Sequence, residues 1–166
     1  MSQQATSEAV QIRHSGVSLP RQCEHDVVQL IPGANTVRLP IASSKIAAGF
    51  PSPAADHMDE DISLDEILIE HPASTYFVRV KGESMKDAHI YEGDVLIVDK
   101  SLTPRHDDIV VAVLDGEMTV KRLYLRNGIV RLVPENPDFP VIDIQEGQEL
   151  TVWGVVTSTI RRFRHA

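Results

Sequence analysis

The chain has 166 residues, 42% of them hydrophobic and 24% charged, with a formal net charge of −8. That size and apolar share fit one globular domain of ordinary size. The acidic balance excludes a broad basic face of the kind that neutralises a nucleic-acid backbone, so direct sequence-specific DNA binding is not expected. One cysteine, Cys23, allows no internal disulfide, which fits a reducing cytoplasm. No basic–apolar–small secretion signal opens the chain, and no apolar run approaches the ~20 residues of a membrane span. The expected location is therefore the cytoplasm, away from membranes.

Taken in order, residues 1–16 are polar without a period and read as disordered. Residues 17–40 mix Val27-Val28, Leu30-Ile31 and Val37 with Pro20, Pro32, Gly33 and Pro40. Prolines at that density break any long helix, so short extended pieces are expected. From Ile46 to Val78 there is no Lys or Arg, while Asp56, Asp59, Glu60, Asp61, Asp65, Glu66 and Glu70 are acidic. This acidic face is expected to be solvated; the other reading is a docking surface for a basic partner. Within it, Ser63-Leu64-Asp65-Glu66 is a capping box with Leu64, Ile67 and Leu68 at helical spacing, which predicts a short helix over 63–70 ended by Pro72.

Beyond Pro72 the chain reads as strands. Tyr76, Val78 and Val80 alternate with Phe77, Arg79 and Lys81, and residues 95–98 and 109–114 are β-branched runs. Asp115-Gly116 and Asn127-Gly128 are two-residue hairpin signals. Residues 129–133, 141–144 and 150–160 complete the strands, with a further turn of helix possible after Ser84. The expected fold is mainly β: a compact twisted sheet from about residue 49 to 166, one short helix, and an extended N-terminal arm over 1–48. The terminal run Arg161-Arg162-Phe163-Arg164-His165 is basic and expected to be solvated.

Two residues carry chemistry. Ser84 follows a strand and Gly82 and precedes Met85-Lys86-Asp87, so it can cap a helical turn or act as a nucleophile beside the free N–H groups of that turn. Lys121 shares a strand face with Thr119, Leu123 and Leu125. A lysine so placed can lose water and become a neutral base, or it can snorkel to the sheet edge. Lys81, Lys86 and Lys100 lie beside charged or turn residues where water keeps them protonated. The seven histidines show no spacing that joins one of them to a carboxylate and Ser84. No ligand spacing for a metal and no glycine-rich phosphate loop is present, so no cofactor is expected.

Lys81-Gly82-Glu83-Ser84-Met85, Tyr91-Glu92-Gly93-Asp94-Val95-Leu96-Ile97-Val98-Asp99, Val120-Lys121-Arg122-Leu123 and Leu132-Val133-Pro134-Glu135-Asn136 together resemble the LexA/UmuD self-cleaving serine peptidases. The likeness runs from about Ala47 to Val156. Upstream, Ala48-Gly49-Phe50-Pro51-Ser52-Pro53-Ala54-Ala55-Asp56 resembles the cleavage segment of the UmuD branch. It departs in having Ala48, in the LexA style, where the better-known UmuD proteins have cysteine, and the arm is longer than in typical relatives.

The resemblance implies a Ser84–Lys121 dyad, an oxyanion hole from the backbone N–H groups of Glu83 and Ser84, and scission of the Ala48–Gly49 bond. It further implies stimulation by a RecA filament on single-stranded DNA, and a truncated homodimer that serves a UmuC-like Y-family polymerase in translesion synthesis. About 45 proline-punctuated residues cannot supply the winged helix-turn-helix of a LexA-type repressor. That repressor and a non-enzymatic β docking module remain the alternatives.

Overall fold

The computed structural model describes residues 13–14, 27–29, 37–42, 58–145 and 147–164. The fold is mainly β, as expected, with one short α-helix. Its strands are β1 (Arg13–His14), β2 (Val27–Gln29), β3 (Arg38–Ala42), β4 (Met58–Ser63), β5 (Thr75–Arg79), β6 (Val95–Asp99), β7 (Ile109–Leu114), β8 (Glu117–Arg126), β9 (Ile129–Val133), β10 (Ile142–Asp143) and β11 (Leu150–Ile160). One sheet runs in the order β10-β9-β8-β7-β11-β6-β5-β2, with β1 added parallel to β11 and all other neighbours antiparallel. β3 and β4 form a separate antiparallel pair in which Ala42 is the partner of Met58.

β7 shows why the sheet has a core on each side. Val111 and Val113 join Val78, Leu96, Val98 and Trp153 in one cluster, while Val110 and Ala112 join Leu123, Leu132 and Val152 in the other. Period-two alternation sends neighbours to opposite faces, so an unbroken apolar run is what a strand covered on both sides requires. The β7–β8 and β8–β9 connections are tight because Asp115-Gly116 (φ 49° and 88°) and Asn127-Gly128 (φ 53° and 75°) adopt the left-handed pair of a hairpin turn.

The long strand β11 pairs with β7 through its first half and with β6 through its second, shifting register between Val152 and Gly154 and again between Val156 and Ser158. Gly154 sits at the changeover, where an added Cβ would lie 2.6 Å from Val98 Cγ1 and 3.1 Å from the Asp99 carbonyl oxygen. Gly154→Ala is therefore expected to destabilise the fold by about 1–3 kcal/mol through overpacking, measurable as a lower denaturant midpoint at unchanged slope.

The helix α1 (Leu64–Leu68) forms where the capping box predicts, with Glu66 N–H donating to Ser63 Oγ and Ser63 N–H donating to Glu66 Oε2, both at 3.3 Å. It is shorter than expected, because Ile69 already has extended torsions (φ −126°, ψ 105°) ahead of His71-Pro72. Asp61, Asp65, Glu66 and Glu70 are exposed, as expected of a solvated face, and Glu66 accepts from Arg38 of β3 at 2.6 Å in an exposed ion pair.

The basic tail also departs from expectation. Arg161 donates from Nε and Nη2 to Asp94 at 2.8 and 2.6 Å, and its guanidinium lies 4.3 Å from the Tyr91 ring centroid. Asp94 is buried, and the Arg161 guanidinium holds its carboxyl below the ordinary carboxylate range. This contact, 67 residues apart in sequence, fastens the chain terminus to the turn that follows Ser84.

Candidate active site

Ser84 lies between β5 and β6, on a segment turned by Gly82 in the left-handed conformation (φ 85°), which a side chain would strain. A single 3-10 turn, Lys86–Ala88, follows it. The capping position of that turn is Met85 and carries no side-chain cap, so the capping role open to Ser84 from sequence is not the one its hydroxyl takes. The N–H groups of Glu83 and Ser84 donate to no acceptor among the described residues.

Lys121 is near the middle of β8, which pairs with β7 on one side and β9 on the other, Val110 facing it directly across the ladder. Its side chain runs along buried surface and is 7% exposed, which settles the sequence ambiguity against a snorkelling edge lysine. Nζ is 2.8 Å from Ser84 Oγ, 2.8 Å from Thr119 Oγ1 and 2.9 Å from the Val120 carbonyl oxygen. No carboxylate pairs with it among the described residues. Burial without a counter-charge disfavours the ammonium form and lowers the lysine below its ordinary value.

The hydrogen-bond arithmetic around Nζ decides what the arrangement can do. A neutral amine has two N–H bonds and one lone pair. Thr119 Oγ1 and the Val120 carbonyl can accept both N–H bonds, which turns the lone pair toward the Ser84 hydroxyl. Thr119 was legible from sequence only as a neighbour on the strand face. The structure gives it a partner on the amine.

The loop after β9 braces the serine from behind. Asn136, 4% exposed, donates from Nδ2 to the Glu83 carbonyl at 3.0 Å; Glu135 N–H donates to the Ser84 carbonyl at 2.9 Å; and Asp87 N–H donates to the Glu135 carbonyl at 2.8 Å. Arg122, next to Lys121 but on the opposite face, pairs with the Glu135 carboxylate. The contact between Asn136 and Glu83 spans 53 residues, and only the fold brings the two together.

Beside Ser84 opens a cleft of about 260 Å³ floored by Val78, Val80, Met85, Val111, Met118 and Val120. The Ser84 and Thr119 hydroxyls and the Arg79 and Lys81 side chains complete its lining, and the apolar floor suits small uncharged side chains. The other titratable clusters lie elsewhere. His71 Nδ1 meets Asp99 Oδ2 at 2.6 Å and Ser74 and Ser101 also donate to Asp99, so one histidine does face a carboxylate, but Ser84 is not among their partners. Burial pushes Asp99 up, yet the bonds from Ser101, His71 and Ser74 outweigh it and leave the carboxyl lowered. Among the described residues no group of His, Cys, Asp or Glu could hold a metal ion. Ala48 and Gly49 lie outside the described residues, as do residues 1–12 and Cys23.

The family described as Peptidase S24-like matches residues 40–157. The chain is 47% identical over 130 residues to the protein MucA of Salmonella typhimurium, covering 77% of this chain and 88% of that one. It is 45% identical over 125 residues to the protein SamA of Salmonella typhimurium strain LT2, covering 75% and 86%. It is also 40% identical over 131 residues to the LexA repressor of Paracidovorax citrulli, covering 79% of this chain but 58% of the repressor.

Proposed function

This chain belongs to the Peptidase S24-like family, in its UmuD-type branch, and from that we infer that Ser84 and Lys121 are the dyad with which it cleaves itself between Ala48 and Gly49. The observation that carries the inference is the buried Lys121 amine 2.8 Å from Ser84 Oγ, with no carboxylate among the described residues to hold its proton. Neutral Lys121 takes the hydroxyl proton as Ser84 Oγ bonds to the Ala48 carbonyl carbon. The Glu83 and Ser84 N–H groups hold the oxygen that becomes charged. Lys121 then gives the proton to the Gly49 nitrogen as the Ala48–Gly49 bond breaks. Water, deprotonated by the same amine, releases the acyl group from Ser84.

The pairing of Ala42 with Met58 supports the choice of substrate, because it ties together the two ends of the segment that contains Ala48-Gly49. A tethered bond meets its nucleophile at high effective concentration, so a modestly activated serine suffices. Small Ala47, Ala48 and Gly49 suit the apolar cleft beside Ser84.

The product, residues 49–166, would act as a homodimeric accessory to a UmuC-like Y-family polymerase in SOS mutagenesis, with a RecA filament on single-stranded DNA promoting the cut. The UmuD-like relatives support that role. No described helix is long and apolar enough to cross a membrane. The matched LexA repressor extends well beyond the aligned region, and specific operator binding by the intact chain would favour the repressor reading instead.

Incubating the pure protein at rising alkaline pH and sequencing the new N-terminus tests the assignment. The expected fragment begins Gly49-Phe50-Pro51; a different cut site would refute the assigned bond. Asn136→Ala, which removes the brace on the Glu83 carbonyl, is expected to slow cleavage about 10- to 100-fold by letting the serine segment shift, as read from the decay of full-length chain on gels.

A further inference from the structure

β5 has one neighbour in the body of the sheet, β6, and its outer edge is covered by three residues of β2: Val27 opposite Val78, Val28 opposite Phe77 and Gln29 opposite Tyr76. β2 precedes residue 49 and β5 follows it. Scission between them would leave β2 joined to the body by strand pairing alone, without the tether that keeps its local concentration high. The released arm then rests on short pairings only, two residues of β1 on β11, three of β2 on β5 and four of β3 on β4, and pairings that short can open one at a time. The edge they leave presents unpaired backbone N–H and C=O groups, the template to which another extended chain adds.

The surroundings of that edge are built for side chains of a definite kind. A groove of about 770 Å³ lies beside it, floored by Phe77, Val95 and Ile160, with Arg79, Arg161 and Arg162 around it. Ile160 is 38% exposed. Asp94 and Glu92 also line it, so in a chain of net charge −8 the groove carries a small local excess of positive charge. Asp94 neutralises Arg161, whereas Arg79 is exposed and among the described residues donates only to the Gly93 carbonyl, at 3.5 Å.

We propose that the β5 edge is a strand-addition site in the processed protein, for an extended segment of a partner protein in which acidic residues flank β-branched apolar ones, and that β2 is the plug the chain carries for it until cleavage. This rests on the cleavage assigned above. The plug's own sequence has the required chemistry: Glu24-His25-Asp26-Val27-Val28-Gln29 sets acidic residues just before a valine pair. A peptide docking in the register of β2 would place the aspartate before its first valine opposite Arg79, since Val27 faces Val78 in an antiparallel ladder. Backbone bonds to Tyr76, Phe77 and Val78 would supply affinity, and the groove would read alternate side chains.

The probe is a fluorescent synthetic peptide with the sequence of residues 24–31, followed by anisotropy. It is titrated into three forms of the full-length protein: intact Ser84→Ala; wild type after self-cleavage and gel filtration; and Ser84→Ala with a specific protease site replacing residues 47–50, cut there and gel-filtered. Both cut forms are expected to bind at least tenfold more tightly than the intact form. Arg79→Glu in the protease-cut form is expected to weaken binding about tenfold, with the circular dichroism spectrum unchanged, and a peptide with Asp26→Lys to regain it. Equal binding to intact and cut forms would overturn the proposal. So would an arm that stays bound through gel filtration and excludes the peptide, a cut body whose self-association blocks it, or indifference to Arg79→Glu. Absence of self-cleavage with tight binding to the protease-cut form would sink the cleavage assignment and leave the edge site standing.

Discussion

Ser84→Ala and Lys121→Met should each reduce self-cleavage of the full chain by about 10³- to 10⁶-fold, and the double variant should be no slower than either single one. A nucleophile and its base act as one unit, so removing the second after the first costs little more. Methionine is the informative replacement at 121 because it keeps the unbranched apolar stem in contact with the same walls while deleting the amine. An ammonium group buried without a carboxylate costs stability, so Lys121→Met should raise the thermal midpoint while abolishing cleavage. The gain should be on the order of 1 kcal/mol, in the range of other substitutions that relieve a strained functional site. Loss of activity with a higher midpoint separates a chemical role from a structural one. A Lys121→Met chain that cleaves at the wild-type rate would remove Lys121 from the mechanism.

The pH dependence follows from the same burial and should also span orders of magnitude. Lys121 is lowered from its ordinary value by desolvation, and the neutral form is the reactive one. Below the folded-state pKa the cleavage rate should therefore rise tenfold for each pH unit, then level off, with the break below the ~10.4 of a free lysine. Stability should move the same way. Between the folded and the unfolded pKa the unfolded chain binds more protons, so stability rises with pH across that interval; below the folded value the burial cost is fully present and constant. Stopped time courses from neutral to alkaline pH measure the first, and thermal melts of Ser84→Ala over the same range measure the second. A rate that is flat with pH, or that falls as pH rises, contradicts a neutral lysine.

What the sequence made legible was local chemistry. The Asp115-Gly116 and Asn127-Gly128 turns announce themselves because few other dipeptides accept two left-handed torsions in succession. The Ser63–Glu66 capping box does so because both of its bonds span only three residues. Burial of Lys121 followed from strand parity, since the same face carries Leu123, which is fully buried. The helical spacing of Leu64 and Ile67 overstates the extent of α1, because both remain exposed and bury nothing that would extend the helix. β1 gave no signal, and β2 showed only as the Val27-Val28 pair in a stretch expected to be extended: two and three residues are too few to show a period, and their pairing with β11 and β5 is decided by distant edges. The partners of the site were equally hidden. Nothing local says that Thr119 accepts from the amine, that Asn136 holds the Glu83 carbonyl, or that the terminal Arg161 folds back onto Asp94.

Direct observation of the Lys121 amine by heteronuclear NMR is the measurement closest to the central claim. Side-chain 15Nζ and 13Cε shifts, assigned by comparison with Lys121→Met, would be followed from neutral to alkaline pH in the folded protein. The account predicts that Lys121 titrates well below every other lysine of the chain and is neutral while they are still charged. A Lys121 that keeps its proton as long as the surface lysines do would contradict it.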